Sequence, residues 1–114
     1  MLPKVSRLSK APDFKKVKEE GKLLQSEDFG LAYFTRGDVL PSKFGFVVST
    51  KISKKATERN RVKRMLRESV RKVISEVKPG VDILFLGKKS LLKTTFDKTT
   101  KEVRQSLVKA NLLK

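Results

Sequence analysis

The sequence of 114 residues contains no cysteine, no histidine and no tryptophan. Without cysteine the chain has no disulfide, no thiolate nucleophile and no cysteine-based zinc site. Without histidine it also lacks the commonest general base and the commonest transition-metal ligand. Most catalytic schemes that depend on protein side chains are therefore excluded.

Long apolar runs are missing as well. No stretch approaches the roughly 20 apolar residues of a membrane-spanning helix, which predicts no contact with a membrane. Residues 1–16 carry charge throughout and lack the apolar stretch of about 7–15 residues that a secretory signal needs. We therefore expect a cytoplasmic protein.

Acidic residues are scarce relative to basic ones. The chain has 12 Asp and Glu against 28 Lys and Arg, which gives a formal net charge of +16 and a pI of about 10.4. Such an imbalance favours a polyanionic partner. The length and the hydrophobic content of 38% suit one packed core, so residues 1–114 are predicted to form a single domain.

The first half of the chain is predicted to contain one helix and two strands. Residues 9–21 have the pattern of a short helix, with Ser9 as its cap. Residues 29–35 alternate as a strand does, and residues 44–50 are rich in β-branched and aromatic side chains. We expect these two strands to pair as a hairpin, with a further short strand near residues 23–24.

The second half is predicted to contain a long helix, a buried strand and a last helix. The long helix begins after Thr57 as its cap and is terminated by residues 79–80, which are Pro-Gly. Residues 81–86 are nearly all apolar, as in a strand buried on both faces, and residues 95–112 have one apolar side. The order α-β-β-α-β-α predicts an α+β fold, a single two-layer domain with helices packed on a small mixed sheet.

Half of the excess charge lies in residues 51–72, which contain ten Lys or Arg and two Glu, a net charge of +8. On a helical wheel, one face of the long helix carries only basic and amide side chains. A solvating surface is the alternative, but such surfaces usually alternate Glu with Lys, whereas like charges here recur at destabilising spacings. We therefore predict a surface that binds phosphate groups, formed by Asn60, Lys63, Arg64, Arg67 and Arg71, with Arg59 and Arg61 beside it and Lys51, Lys54 and Lys55 as further contacts.

Aromatic residues also occur among cations on the first helix, where Phe14 is surrounded by lysines that include Lys15 and Lys18. Single-stranded nucleic acid favours this combination, because every base can stack on a ring. Core packing is the alternative role for each aromatic residue, including Tyr33 and Phe46 in the predicted strands. For Phe14 a surface position is favoured over core packing, because its helix has few other apolar residues.

Residues 55–64, KATERNRVKR, followed by LRE at 66–68, resemble the signature of the protein subunit of bacterial ribonuclease P. The preceding FGFVVS at residues 44–49 is similar to the strand that comes before this signature. Arg7-Leu8 and Asp13-Phe14 also resemble the start of the family's first helix. The resemblance therefore extends over most of the chain.

The resemblance implies a ribonucleoprotein that removes the 5′ leader of precursor tRNA, in which an RNA subunit performs hydrolysis with Mg²⁺. The Mg²⁺ is then expected to be bound mainly by the RNA subunit, and the protein to provide no catalytic residue and to need no obligate protein partner. The resemblance also implies a left-handed crossover between parallel strands, against the usual preference. Residues implied to face the RNA subunit are Arg59, Asn60, Arg61, Lys63, Arg64 and Arg67, and those expected at the leader cleft are Phe14, Lys15, Val17, Lys18, Tyr33 and Phe46.

Two departures affect the leader cleft. Lys18 stands where many relatives have a second aromatic residue, which favours phosphate contact over stacking at that position. Ala32 stands about where some relatives have a tyrosine. The alignment of Tyr33 with that tyrosine is therefore undecided by one residue, and its role stays open.

Two other functions remain open from the residues alone. A ribosomal or general RNA-binding protein fits the composition equally well. A nuclease that acts without RNA is disfavoured, because no His and no D-x-D or E-x-K cluster is present at a predicted strand end.

Overall fold

The computed structural model describes residues 2, 4–8 and 10–114. Within these ranges the α-helices and strands are α1 (Ala11–Glu20), β1 (Lys22–Gln25), β2 (Phe29–Thr35), β3 (Lys43–Val47), α2 (Ala56–Val73), β4 (Val81–Gly87) and α3 (Phe96–Lys109). Short 3₁₀ turns cover Lys4–Ser6, Ile74–Glu76 and Lys89–Lys93. None of the described helices is both long enough and apolar enough to cross a membrane.

The strands form one mixed sheet in the order β1-β2-β4-β3. β2 is antiparallel to both β1 and β4, whereas β3 is parallel to β4. The small mixed sheet and the further short strand are therefore confirmed. The predicted hairpin between the second and third strands is wrong, because β4 lies between them. Residues 81–85 of β4 are buried in succession, and a strand of this kind is most stable with neighbours on both edges.

Helices α2 and α3 pack on one face of the sheet. Their apolar side chains join those of the strands in the main core. Helix α1 covers part of the opposite face, where Val17 packs with Leu8, Ala32 and Leu84. The packing of helices on a small mixed sheet is thus confirmed, and α1 adds a smaller second cluster on the other face. Main-core members include Phe29, Leu31, Ile83 and Phe85 from the sheet, Val62, Leu66 and Val70 from α2, and Val103 and Leu107 from α3.

Because β3 and β4 are parallel neighbours, the connection between them must cross a face of the sheet, and α2 makes this crossing. This β3-α2-β4 unit is the one to which the resemblance assigns a left-handed crossover. Helix α2 therefore lies on the main core with one side, and its other side is free to face a partner.

The helix ends differ in how their backbone groups are satisfied. Thr95 caps α3, its hydroxyl accepting a hydrogen bond from the amide of Lys98 at 3.2 Å. The prediction that Thr57 caps α2 is wrong, since α2 begins at Ala56 and Lys55 is in the cap position with no side-chain cap bond. The cap predicted at Ser9 lies outside the described residues, and Lys10 is the residue that precedes α1.

Arg36 ties the connection after β2 to the start of β4. Its guanidinium bonds to both carboxylate oxygens of Asp38 at 3.0 and 3.1 Å and also to the buried carboxylate of Asp82. The hydrogen bonds from Arg36 hold the pKa of Asp38 below its usual value. Gly80 lies beneath this connection with φ of 80°, and a Cβ there would collide with the carbonyl oxygen of Asp38.

A pair of buried carboxylates joins α3 to the loop before β2. Glu102 accepts hydrogen bonds from the hydroxyl of Ser26 at 2.7 Å and from the amide of Asp28 at 2.8 Å. Asp28 Oδ2 and Glu102 Oε1 have no hydrogen-bond partner among the described residues, although Lys98 Nζ lies 3.5 Å from Asp28 Oδ2. Burial, together with the charge of Asp28, raises the pKa of Glu102.

Replacing Glu102 with glutamine should stabilise the protein at neutral pH by about 1 kcal/mol. The amide keeps an acceptor for Ser26 and gives Asp28 a donor, while it removes one of two adjacent buried charges. The pKa of Glu102 is higher in the folded protein than in the unfolded chain. The contribution of Glu102 to the free energy of unfolding of the wild type therefore falls as the pH rises from the unfolded-state pKa through the folded-state pKa. Urea unfolding at several pH values should show that E102Q lacks this fall.

Glu76→Gln is the matched control, because Glu76 forms an exposed bidentate pair with Arg104 of α3, at 2.8 and 2.9 Å. Hydrogen bonds from Arg104 lower the pKa of Glu76, so its contribution is present above the unfolded pKa and is lost as pH falls. E76Q should therefore be less stable than wild type at neutral pH and equal to it in acid. If E102Q is less stable than wild type at neutral pH, the interpretation that the carboxylates of Asp28 and Glu102 destabilise each other is contradicted.

Candidate nucleic-acid interface

Helix α2 carries a basic ridge, which we define as Asn60, Lys63, Arg64, Arg67 and Arg71. Val62, Leu66 and Val70 bury the other side of the helix in the main core. Asn60, Arg64 and Arg71 are exposed, whereas Lys63 and Arg67 are half-buried. The predicted segregation of the ridge from the apolar stripe is therefore confirmed, and the ridge is open along about three turns.

Arg67 is held by a stack of aromatic rings. Its guanidinium carbon lies 5.8 Å from the centre of the Phe46 ring, within range of a cation–π interaction. Phe46 in turn stacks on Phe85, with 5.6 Å between ring centres and 10° between planes. The sheet thus fixes the position of one ridge cation before any partner is bound.

The three residues Arg59, Asn60 and Arg61 in the first turns of α2 have different roles. Arg59 donates to the carbonyl of Ser53 at 2.9 Å, and Arg61 donates to the carbonyl of Leu92 at 2.8 Å. The side chain of Asn60 is exposed and makes no hydrogen bond to any residue within the described ranges. Each arginine keeps further donors, so the two can fix the helix start while an amide between them remains free to bind.

The predicted loop cations Lys51, Lys54 and Lys55 are exposed just before α2. Ser53 orders this loop, since its hydroxyl donates to Glu58 at 2.6 Å and accepts from the amide of Lys55 at 3.2 Å. The loop therefore leads three cations to the helix N-terminus, where unpaired backbone amides and the helix dipole also attract anions.

The residues predicted for the leader cleft do not share one surface. Phe14 is half-buried on the α1 side of the sheet, with Lys15 and Lys18 exposed beside it. Val17 is only 1% exposed, so its prediction as a lining residue is wrong: its side chain fills the small core beneath α1. Tyr33 and Phe46 belong to the opposite face, where they pack on the main core.

The corresponding surface on the α1 side has other members. We define the α1 surface as the half-buried Phe14, Phe34, Val47 and Leu86, which surround the small core. Gly45 permits the close approach of Phe14 to the sheet, because a Cβ at this position would lie 3.0 Å from both Phe14 Cε1 and Leu84 Cδ1. Phe34, Val47 and Leu86 were missed because strand alternation separates two faces but does not say which one α1 covers. The register also resolves the position of Tyr33, since Ala32 is the residue under α1.

Comparison with known proteins identifies the family. The sequence profile of the Ribonuclease P family matches residues 2–111. The chain is also 32% identical over 112 residues to the Ribonuclease P protein component of Thermoanaerobacter sp. (strain X514), covering 98% of this chain and 95% of that one. The chain belongs to the ribonuclease P protein family. The resemblance carried by the KATERNRVKR motif is thereby confirmed.

Solved structures of ribonuclease P proteins have the same fold. The protein from Thermotoga maritima superposes with a TM-score of 0.77 at 32% identity, covering 87% of this chain and 92% of that one. The protein from Staphylococcus aureus gives a TM-score of 0.87 at 22% identity, covering 97% and 100%, which supports the fold alone. Membership in the ribonuclease P protein family makes this chain an RNA-binding subunit of a ribonucleoprotein that processes tRNA.

Arg64→Gln should weaken binding to the RNA subunit and reduce the slope of log affinity against log salt by roughly 0.7–0.9, the value for one lost phosphate contact. Lys109→Gln is the control, because Lys109 is exposed at the end of α3, away from the ridge, and its loss changes the net charge equally. Filter binding across a range of KCl concentrations measures both slopes. Equal slopes for the two variants would show that the ridge acts only through net charge.

Proposed function

We propose that this chain binds the RNA subunit of ribonuclease P through the basic ridge and the loop before α2. Through the α1 surface it binds the single-stranded 5′ leader of precursor tRNA. The observation that carries the first part is the ridge itself, an uninterrupted basic and amide face on a helix whose flanking arginines are already fixed. The RNA subunit supplies the hydrolysis, and the protein raises affinity for substrate and for Mg²⁺.

The α1 surface supports the second part. Phe14 presents a half-buried ring over the backbone of Gly45, and Lys15 and Lys18 are exposed on the same helix. Lys16 Nζ lies 4.9 Å from the centre of the Phe34 ring on this face. Rings for stacking beside cations for phosphate are the two elements that single-stranded RNA needs, without a requirement for particular bases.

The division of labour with RNA is consistent with the side chains available. The sequence has neither His nor Cys. Among the described residues no three carboxylates come together as a metal site, so we assign the Mg²⁺ of the reaction to the RNA and no step to a metal on this chain. What the protein contributes is positioning, by electrostatic and stacking contacts to two RNA segments.

Adding the protein to its cognate RNA subunit should increase cleavage of precursor tRNA at the 5′ end at low Mg²⁺, where RNA–RNA repulsion is poorly screened. The measurement is cleavage of labelled precursor as a function of Mg²⁺ with and without the protein. Absence of stimulation, with copurification of ribosomes in place of one structured RNA, would favour a general RNA-binding protein.

Phe14→Ala should weaken binding of leader-bearing precursor by about ten-fold or more, the range for loss of one stacked base, and leave mature tRNA nearly unaffected. Val17→Ala is the matched control on the same helix. Its side chain is buried, so it should cost about 1–3 kcal/mol of unfolding free energy without selective loss of leader binding. Equal effects of F14A on both tRNAs would assign Phe14 to packing alone.

A further inference from the structure

A groove separates α2 from the start of α3 and opens beside the basic ridge. Its volume is about 450 Å³, and its lining consists of Arg61, Arg64, Met65, Glu68, Lys72 and Phe96. These α2 residues follow one another at helical spacing on the side that faces α3. We call this feature the α2–α3 groove.

Its floor is apolar and includes an aromatic ring. Met65 and Phe96 are both half-buried, so each keeps part of its side chain open to the groove. Lys72 Nζ lies 4.8 Å from the centre of the Phe96 ring, so a cation of the groove lies over one face of this ring in the free protein. The thioether of Met65 adds a polarizable, adaptable surface.

The rim is cationic. It contains three basic side chains, those of Arg61, Arg64 and Lys72, and one carboxylate, that of Glu68. Glu68 Oε2 lies 3.4 Å from Arg71 Nη1. Arg61 is already fixed by its hydrogen bond to the carbonyl of Leu92. Arg64 belongs to both the rim and the basic ridge, so an RNA strand on the ridge passes the mouth of the groove.

We propose that the α2–α3 groove binds an unpaired nucleobase of the RNA subunit. The base stacks on Phe96 and Met65, and its flanking phosphates contact Arg61, Arg64 and Lys72. The apolar floor matches the flat face of a base and the cationic rim matches its phosphates, whereas an acidic or neutral peptide would use only one of the two. This inference rests on the proposed function and adds a base contact to a surface otherwise assigned to phosphates.

The single internal methionine makes the test direct, since the sequence contains only Met1 and Met65. The protein labelled with ¹³C in its methionine methyl groups is titrated with adenosine 5′-monophosphate, and Met65 is assigned by the loss of its signal in Met65→Leu. A base stacked in the groove should shift the Met65 methyl signal upfield and to saturation. Ribose 5-phosphate, which has the phosphate without the base, should shift it little.

Two substitutions at one position separate stacking from folding. Phe96→Leu keeps an apolar side chain and removes the ring, so it should weaken nucleotide binding by about five-fold or more. Phe96→Tyr keeps the ring and should bind as wild type does. No shift of Met65 with the nucleotide, an equal shift with ribose 5-phosphate, or unchanged affinity in F96L would overturn the proposal.

Binding to the RNA subunit distinguishes this inference from the proposed function. F96L removes no charge, so its affinity for the RNA subunit should fall by about five-fold or more, with an unchanged salt slope and with the leader effect of Phe14 intact. If F96L binds the RNA subunit as wild type does while wild type still stimulates cleavage, the groove is refuted and the proposed function stands. If Met65 responds to the nucleotide but wild type fails to stimulate cleavage, the groove is a nucleotide site, and its assignment to the RNA subunit fails together with the proposed function.

Discussion

Strand β4 is hydrogen-bonded to β2 on one edge and to β3 on the other, and residues 81–85 are buried on both faces. A strand with no exposed side requires cover above and below the sheet, which α1 provides on one face and α2 with α3 on the other. Because β3 runs parallel to β4, the chain must also cross the sheet between them. This crossing carries α2 over the main core and leaves its basic ridge facing outward.

The ridge, through which we propose that RNA binds, gathers like charges that repel one another in the free protein. Such repulsion costs stability in the free protein and is relieved when phosphates neutralise the cations. The structure limits a second cost, that of ordering long side chains on binding. Arg67 rests on the stacked rings of Phe46 and Phe85, and Arg59 and Arg61 are bonded to backbone carbonyls. Part of the proposed interface is therefore ordered before any RNA binds.

Local patterns in the sequence predicted most of the helices and strands, since hydrophobic periodicity and the Gly and Pro residues that end an element are local properties. Residues 29–35 were predicted as a strand and are one, and Asn60 does lie on an exposed face of α2. The pairing of β2 with β4 depends on residues about fifty positions apart, for which the sequence offers no local signal. The structure places Phe46 on the face of the sheet opposite to α1. Strand alternation could not predict this, because it does not say which face of the sheet each helix covers. Phe96 lies within residues 95–112, for which the sequence predicts one apolar side, but its position in the groove depends on how α3 packs beside α2.

Two neighbouring residues of β3 connect the two proposed RNA surfaces. Gly45 supports Phe14 on the α1 side, and Phe46 supports Arg67 on the α2 side. Consecutive residues of a strand point to opposite faces, so the leader and the RNA subunit would be held on either side of one strand. That strand is paired rigidly to β4, and no flexible linker lies between the surfaces. Binding one RNA segment therefore presents the second surface at a fixed distance and orientation, which raises the effective concentration of the other segment without any further contact.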